Sequence, residues 1–186
     1  MDFQRYNNGV FTLQPFFSPS CCEAMIAQAE TMGFEAAAIN TREGPRRVED
    51  VRNNDRVIFD DHDLAADLFS TLQPHLMTVM GSRVLVGLNE RFRFYRYTPG
   101  QKFDWHEDGP YVRANNERSL LTLLIYLNDG YGGGETKFEW MDIKGQCGMA
   151  LVFHHGLVHC GAAVTEGVKY VLRTDVMYGA LGSAYY

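Results

Sequence analysis

The segment Tyr97-Thr98-Pro99-Gly100-Gln101-Lys102-Phe103-Asp104-Trp105-His106-Glu107-Asp108-Gly109 places a histidine and a carboxylate two positions apart on a predicted strand. The pattern of short strands extends outward from it. Upstream, Arg91-Phe92-Arg93-Phe94 alternates with period two. Downstream, the apolar run from Leu120 to Leu127, with Thr122 and Tyr126 inside it, fits a buried strand that the turn Asn128-Asp129-Gly130 closes. Gly132-Gly133-Gly134 reads as a tight, exposed turn into a short strand, Glu135 to Phe138. A phosphate-binding loop would open a helix instead, so a structural role is expected for these glycines. Met149 to Phe153 and Val168 to Tyr178 complete a set of strands that indicates a sandwich or barrel.

The N-terminal part is mixed. Val10 to Phe17 begins as a short strand. Ser18-Pro19 then offers an N-cap followed by proline at the first helical position, and Gly33 offers a stop. Cys22, Met25, Ile26, Ala29 and Met32 share one face of that predicted helix. A second helix is expected from near Asp61, with Leu64, Leu68 and Leu72 at every fourth position and Pro74 ending it. The fold class that follows is mostly β with flanking helices (α+β). No repeat or linker divides the chain. One domain over 1–186 is expected, with helical support and outer strands in 1–88 and the core in 89–178.

Composition narrows the function. The 186 residues are 46% hydrophobic, enough for a sizeable core. A net charge of −6 weighs against a nucleic-acid partner, which calls for a basic surface. Cys21, Cys22, Cys147 and Cys160 form neither a disulfide framework nor a zinc knuckle. The start, Met1 to Phe17, lacks the basic and apolar regions of a signal peptide, and no apolar stretch is long enough to cross a membrane. A cytoplasmic setting without membrane attachment is expected.

His106 and Asp108, two apart on a strand, can face one metal ion. His159, before the last strand, can add a third ligand. Two histidines and a carboxylate on one face of an octahedral ion leave three positions open, the arrangement that non-haem Fe(II) oxygenation requires. An HxD pair alone is weak evidence, because most such pairs are surface polar residues. Asp104 shares the predicted strand face and competes as a carboxylate. His154 and His155 compete with His159, and a satisfied loop histidine is the default reading of both. On the last strand Lys169, Val171, Arg173 and Asp175 share one face. If the opposite face packs on another layer, the charged face meets solvent or a polar cavity, where a cation could bind a dicarboxylate.

Three ordered segments carry a resemblance: YTPGQKFDWHEDG from Tyr97, LLIYLND with GYGGGETKF from Leu121 to Phe138, and the stretch from Gly148 through MALVFHHGLVHCGAAVTEGVKYVLRTDVMY. Together they resemble the prolyl 4-hydroxylase-like branch of the Fe(II)/2-oxoglutarate-dependent oxygenases, over roughly residues 90–178. The resemblance implies a double-stranded β-helix, or jelly roll. It implies iron on His106, Asp108 and His159, and 2-oxoglutarate on Lys169, with Tyr97 lining its pocket. It also implies a dioxygenase reaction in which 2-oxoglutarate and O2 are consumed, succinate and carbon dioxide are released, and an unactivated C–H bond is hydroxylated, with ascorbate as a supporting reductant. The substrate is expected to be a protein residue or a small molecule.

Two features depart from the family pattern. Arg173 adds a second cation to the expected pocket, placed nearer the iron end or the substrate, although its bidentate guanidinium makes it the chemical rival of Lys169 as the 2-oxoglutarate anchor. The polar stretch 38–55 matches no peptide-binding loop, and its arginines read as a solvated loop, with a lid over the substrate as the alternative. Three other functions compete. Oxidative demethylation of nucleic-acid bases conflicts with the acidic balance and the lack of a basic, aromatic-lined groove. A non-catalytic metal-binding β-barrel module would leave the open ligand set, Lys169 and Arg173 without purpose. Zinc hydrolysis would leave the cation after His159 unexplained.

Overall fold

The computed structural model describes residues 1–6, 9–37, 39–41, 44–46 and 51–181, with the backbone alone for 39–41 and 44–46. Strands β1 (Asp2–Arg5) and β2 (Phe11–Gln14) pair as an antiparallel hairpin, and helix α1 (Pro19–Met32) follows. The start of α1 is set by chemistry: Ser18 Oγ accepts the Cys21 backbone N–H at 3.2 Å, and Pro19 fills a first-turn position that needs no donor. Gly33, at φ +85°, ends it. Cys22 and Ala29 are buried on the expected face, and Met25 and Ile26 pack against the same core. Met32 departs from expectation, because the face runs off the core in the last turn and leaves it exposed.

Next come β3 (Glu35–Ala36), β4 (Ile39–Thr41), β5 (Gly44–Arg46) and β6 (Asp55–Asp60). Helix α2 (His62–Leu72) is capped by Asp61, whose Oδ1 accepts the Leu64 N–H at 2.9 Å. It buries Ala65, Leu68 and Leu72, and passes at Pro74 into a 3-10 turn. The remaining strands are β7 (Val79–Met80), β8 (Arg83–Leu88), β9 (Arg91–Tyr97), β10 (Phe103–His106), β11 (Arg118–Tyr126), β12 (Gly132–Gly133), β13 (Thr136–Phe138), β14 (Met141–Ile143), β15 (Ala150–His154), β16 (His159–Gly161), β17 (Val164–Glu166) and β18 (Lys169–Ala180). No helix among the described residues is long and apolar enough to cross a membrane.

The large sheet runs β1-β2-β15-β11-β18-β9-β6-β3, with β8 also on β18 and β7 on β8. The small sheet runs β10-β16-β13-β14. Strands from before residue 89 thus enter the large sheet beside those of the expected core. Period-two alternation divides the side chains of the large sheet. Leu172, Val176, Phe92 and Phe94 face a core shared with Leu68, Leu72 and Cys22 of the helices. Val171, Tyr95, Tyr97 and Phe153 face a second core shared with Phe138 and Ile143 of the small sheet. The order of layers is therefore helices, large sheet, small sheet.

The charged face of β18 lies on the small-sheet side. Lys169 and Asp175 are buried there at 3% and 2% exposure, so the polar-cavity alternative holds over solvent. The glycine cluster also differs from expectation. Gly132 and Gly133 pair with β17, and Gly134 is buried. A Cβ on Gly133, which sits at φ +65°, would meet the Ala163 carbonyl at 2.4 Å. Close strand approach, and not an exposed turn, is what these glycines permit.

Candidate metal centre

His106 and His159 are register partners on the antiparallel strands β10 and β16, so the small sheet sets two imidazoles side by side. Their ring centroids are 4.3 Å apart. Each Nδ1 lies against a backbone carbonyl, His106 on Asp104 O at 2.7 Å and His159 on Leu157 O at 2.8 Å. A carbonyl only accepts, so both Nδ1 atoms carry the proton and both Nε2 lone pairs are free to bind.

Asp108 joins them by a route that strand spacing does not describe. Strand β10 ends at His106, and Asp108 lies in the loop beyond it. Its backbone N–H donates to His155 O at 3.0 Å, which turns the carboxylate back toward the imidazoles. Oδ1 is 3.7 Å from His106 Nε2, and Oδ2 is 3.7 Å from His159 Nε2. One ligand atom from each of the three residues lies within 4.8 Å of the others, a spacing at which one cation can touch all three. The competing residues lie elsewhere. Asp104 pairs with Lys102 at 3.1 Å and caps the Trp105 N–H. His154 borders a different cavity, beside Gly9.

His155 is a satisfied histidine, as expected, but it stands directly behind Asp108. Thr122 Oγ1 donates to Asp108 Oδ2 at 2.6 Å and lies 2.9 Å from His155 Nδ1. Since the threonine proton is committed, His155 Nδ1–H must donate to Thr122. His155 Nε2 then accepts from the Ser119 hydroxyl at 2.8 Å, and Ser119 Oγ accepts the Tyr111 N–H at 2.8 Å. Every member of this buried chain has a partner, and the chain ends on a candidate metal ligand. Sequence reading passed over it, although Thr122 in an apolar run was a visible signal.

The electrostatics suit a cation. Burial alone would raise the Asp108 carboxyl. The Arg173 guanidinium, 2.9 Å from Oδ1, with His159 and the Thr122 hydroxyl, holds it well below the usual carboxylate range. Burial and the neighbouring His159 push His106 down to about 4, and burial pushes His159 down as well. An ionised carboxylate and two neutral imidazoles are the protonation states that a divalent metal needs.

A narrow pocket connects this triad with Tyr97, Lys169 and Arg173. The three cosubstrate candidates are thus brought together, though not to one point. Arg173 touches Asp108, whereas Lys169 lies four residues earlier on the same strand face, about 13 Å along it. Lys169 Nζ donates to Gly134 O at 2.6 Å and sits over the rings of Tyr97 and Tyr126 at 5.2 and 5.4 Å. Among the described residues no carboxylate pairs with it, and burial pushes it down to about 8. Burial raises the Tyr97 phenol to about 12, so it stays neutral. The Glu135 carboxylate offsets the burial of Lys169 only in part and from beyond ion-pair distance, so the enclosed ammonium fits one end of a dicarboxylate.

The stretch 38–55 departs from the solvated loop expected of it at Arg52, which is 5% exposed and lies against the aromatic wall of the site. Arg42 and Arg47 of that stretch lie outside the described residues.

Two family models match the chain: the 2OG-Fe(II) oxygenase superfamily over residues 92–174 and phytanoyl-CoA dioxygenase (PhyH) over residues 6–131. A protein of Acanthamoeba polyphaga mimivirus assigned to the prolyl 4-hydroxylases is 23% identical, the match covering 88% of this chain and 72% of that one. Solved structures share the fold. The viral collagen prolyl hydroxylase of Paramecium Bursaria Chlorella virus-1, in its 2OG complex, superposes with a TM-score of 0.65 at 21% identity, covering 92% of this chain and 97% of that one. A Trichoplax adhaerens prolyl hydroxylase, bound to a hypoxia inducible factor peptide fragment, gives 0.72 at 16% identity, covering 91% and 84%. The two packed sheets are accordingly the double-stranded β-helix expected from the sequence. With both family models naming dioxygen chemistry and a His-Asp-His triad in place, the chain belongs to the 2OG-Fe(II) oxygenase superfamily, which embraces the matched dioxygenase family, and within it is prolyl hydroxylase-like.

Proposed function

We propose that His106, Asp108 and His159 hold one Fe(II), that Lys169 anchors the distal carboxylate of 2-oxoglutarate beside Tyr97, and that the enzyme hydroxylates an unactivated C–H bond of a protein residue or small molecule. The observation that carries this reading is the convergence of three metal-competent donors, within 4.8 Å of one another, on a pocket that also holds a buried ammonium bonded only to a carbonyl among the described residues. Bound there with 2-oxoglutarate and O2, Fe(II) supplies the oxidising chemistry, in which one oxygen atom enters the substrate and the other leaves in succinate, with release of carbon dioxide.

The chain's own part is positioning. Asp104 O and Leu157 O fix the tautomers that leave Nε2 of each histidine to the metal. Thr122 orients Asp108 from behind, and Arg173 keeps it ionised. Phe103 stacks on His106 at 3.5 Å and Phe153 meets His159 edge-on at 4.6 Å, so aromatic walls limit water at the ligands. Lys169 selects a cosubstrate with a second carboxylate. Succinate formation from 2-oxoglutarate under Fe(II) and O2 tests the activity. Metal analysis of His106→Ala, Asp108→Ala and His159→Ala tests the ligands: each should lose most of its iron, and full iron content in both histidine variants would refute the assignment.

A further inference from the structure

The chain carries a net charge of −6, yet the cleft in front of the triad is rich in arginine. This cleft, of about 540 Å3, is lined by Arg52, Arg56, Arg93 and Arg173 against three carboxylates, those of Glu107, Asp108 and Asp175. Much of that charge is already engaged. Arg93 and Arg173 share Asp175 at 3.3 and 3.4 Å, and Arg173 also holds Asp108.

Arg52 is different. No carboxylate of the described residues pairs with it. Its Nε donates to Asn54 Oδ1 at 2.7 Å, while its Nη2, fully buried, has no hydrogen-bond partner. Arg173 Nε in the same cleft is likewise buried without a partner, but Arg173 has two carboxylates on its Nη2, so the charge left without one is that of Arg52. The guanidinium is packed on both faces. It lies between the rings of Tyr95 and Phe103 at 4.5 and 4.4 Å. The residues on either side of it are tied to the chain that leads into His106: Asp104 N–H donates to Val51 O at 2.8 Å, and Lys102 N–H donates to the Asn53 side-chain Oδ1 at 2.7 Å. The Phe103 ring that carries Arg52 on one side stacks on His106. A planar guanidinium, clamped one ring away from a candidate metal ligand, is pre-organised for a carboxylate or phosphate. The Tyr95 phenol reports the same local field. Burial would raise it, but Arg173, Arg52 and Arg93 draw it down to about 8.

The cosubstrate does not account for this cation. On the reading proposed above, one end of 2-oxoglutarate belongs to the metal and the other to Lys169. Arg52 is left for the second reactant, and the cleft has the volume of a small-molecule site.

We propose that the substrate is a small organic anion whose carboxylate or phosphate group seats on Arg52, beside the metal centre. This rests on the oxygenase reading, and the test separates the two. The full chain is loaded with Zn(II) in place of iron and saturated with 2-oxoglutarate, so that the cosubstrate subsite is filled and no turnover occurs. Benzoate, phenyl phosphate and their neutral counterpart benzamide are then titrated. The readout is the NMR signal of the Arg52 Nε–H, which its hydrogen bond to Asn54 protects from exchange and which Arg52→Lys removes. At least one anion should shift this signal saturably while benzamide does not, and the tighter anion distinguishes a carboxylate from a phosphate source. Arg52→Gln should weaken that anion by about tenfold or more, the loss of one charge-assisted pair. It should leave 2-oxoglutarate affinity within about twofold, with thermal melting confirming that the variant is folded.

The proposal fails if neither anion moves the signal, if benzamide binds as tightly as the anions, or if Arg52→Gln keeps full anion affinity. It also fails if the anions act only by displacing 2-oxoglutarate. If the zinc-loaded protein does not bind 2-oxoglutarate at all, the oxygenase reading falls and this inference falls with it.

Discussion

Replacing Lys169 by methionine should stabilise the cosubstrate-free protein and destroy its hold on 2-oxoglutarate. The ammonium is 3% exposed, with a carbonyl and two aromatic faces around it; the Glu135 carboxylate acts on it from a distance, but no carboxylate of the described residues forms an ion pair with it. Its fall from 10.5 to about 8, caused by burial, corresponds to about 3 kcal/mol against the charged form, at ~1.36 kcal/mol per pH unit. The sign follows from proton counting. The unfolded chain keeps this proton to about pH 10.5, the folded chain only to about pH 8. The penalty is therefore complete below pH 8 and is relieved as pH rises from about 8 to 10.5. Methionine fills the same stem without the charge, but it leaves Gly134 O without its donor, a loss of about 1–3 kcal/mol. The net gain expected at pH 7 is about 0–2 kcal/mol, and it turns into a loss of about 1–3 kcal/mol toward pH 10.5, where the burial penalty is gone and the missing donor remains. Urea denaturation at pH 7 and pH 10 measures it. Losing one partner of a buried ion pair costs about 3–5 kcal/mol, so 2-oxoglutarate should bind roughly 100- to 1,000-fold more weakly or worse in calorimetry of the zinc-loaded protein. Two results would refute the reasoning: a cosubstrate-free variant several kcal/mol less stable than the parent at pH 7, or unchanged 2-oxoglutarate affinity together with a large loss in Arg173→Met, which would exchange the two roles.

Three further outcomes follow from the same geometry. Thr122→Val removes the donor to Asp108 Oδ2 and should weaken metal affinity by about 10- to 100-fold, with Thr122→Ser close to the parent in a chelator competition. Because His106 titrates near 4 when folded and near 6.5 when unfolded, the metal-free protein should lose up to about 3 kcal/mol as pH falls through that window, and pH-dependent unfolding of His106→Phe should lack that slope. Gly133→Ala sets a Cβ 2.4 Å from the Ala163 carbonyl at φ +65° and should cost about 2 kcal/mol or more, whereas Gly156→Ala, with open space around it, should change the unfolding midpoint little.

These outcomes also mark what the sequence could and could not carry. Alternation along Lys169–Asp175 placed four side chains on one face correctly, because β18 is paired on both sides and its pleat is fixed by its neighbours. The helix ends near Ser18, Gly33 and Asp61 were legible for a different reason: caps are local chemistry between residues three or four apart. The convergence of His106 with Asp108 was expected on the wrong ground. Strand geometry stops at His106, and a long-range bond from the Asp108 N–H to His155 O supplies the alignment instead. The glycine cluster misled in the same way, since an exposed turn and a close crossing of β17 ask for the same residue.

Thr122 and Arg52 show where local reading stops. The run Leu120–Leu127 displayed a lone hydroxyl, and alternation could say which way it pointed. Its register partners, Phe153 on β15 and Asp175 on β18, exist only once three distant strands have paired. Arg52 sat in a stretch whose polarity argued for solvent. What buries it is the pairing of residues 51–53 with β10 and the two rings that this pairing places around it. Residue type, more than period, thus points to the candidate ligands, which are chemically special wherever they sit. The residues behind those candidate ligands, and the arginine proposed to meet the substrate, are ordinary side chains in the sequence until register gives them neighbours. For this chain the chemistry is accordingly far more visible in the sequence than the specificity, and the specificity is what substitutions at Arg52 address.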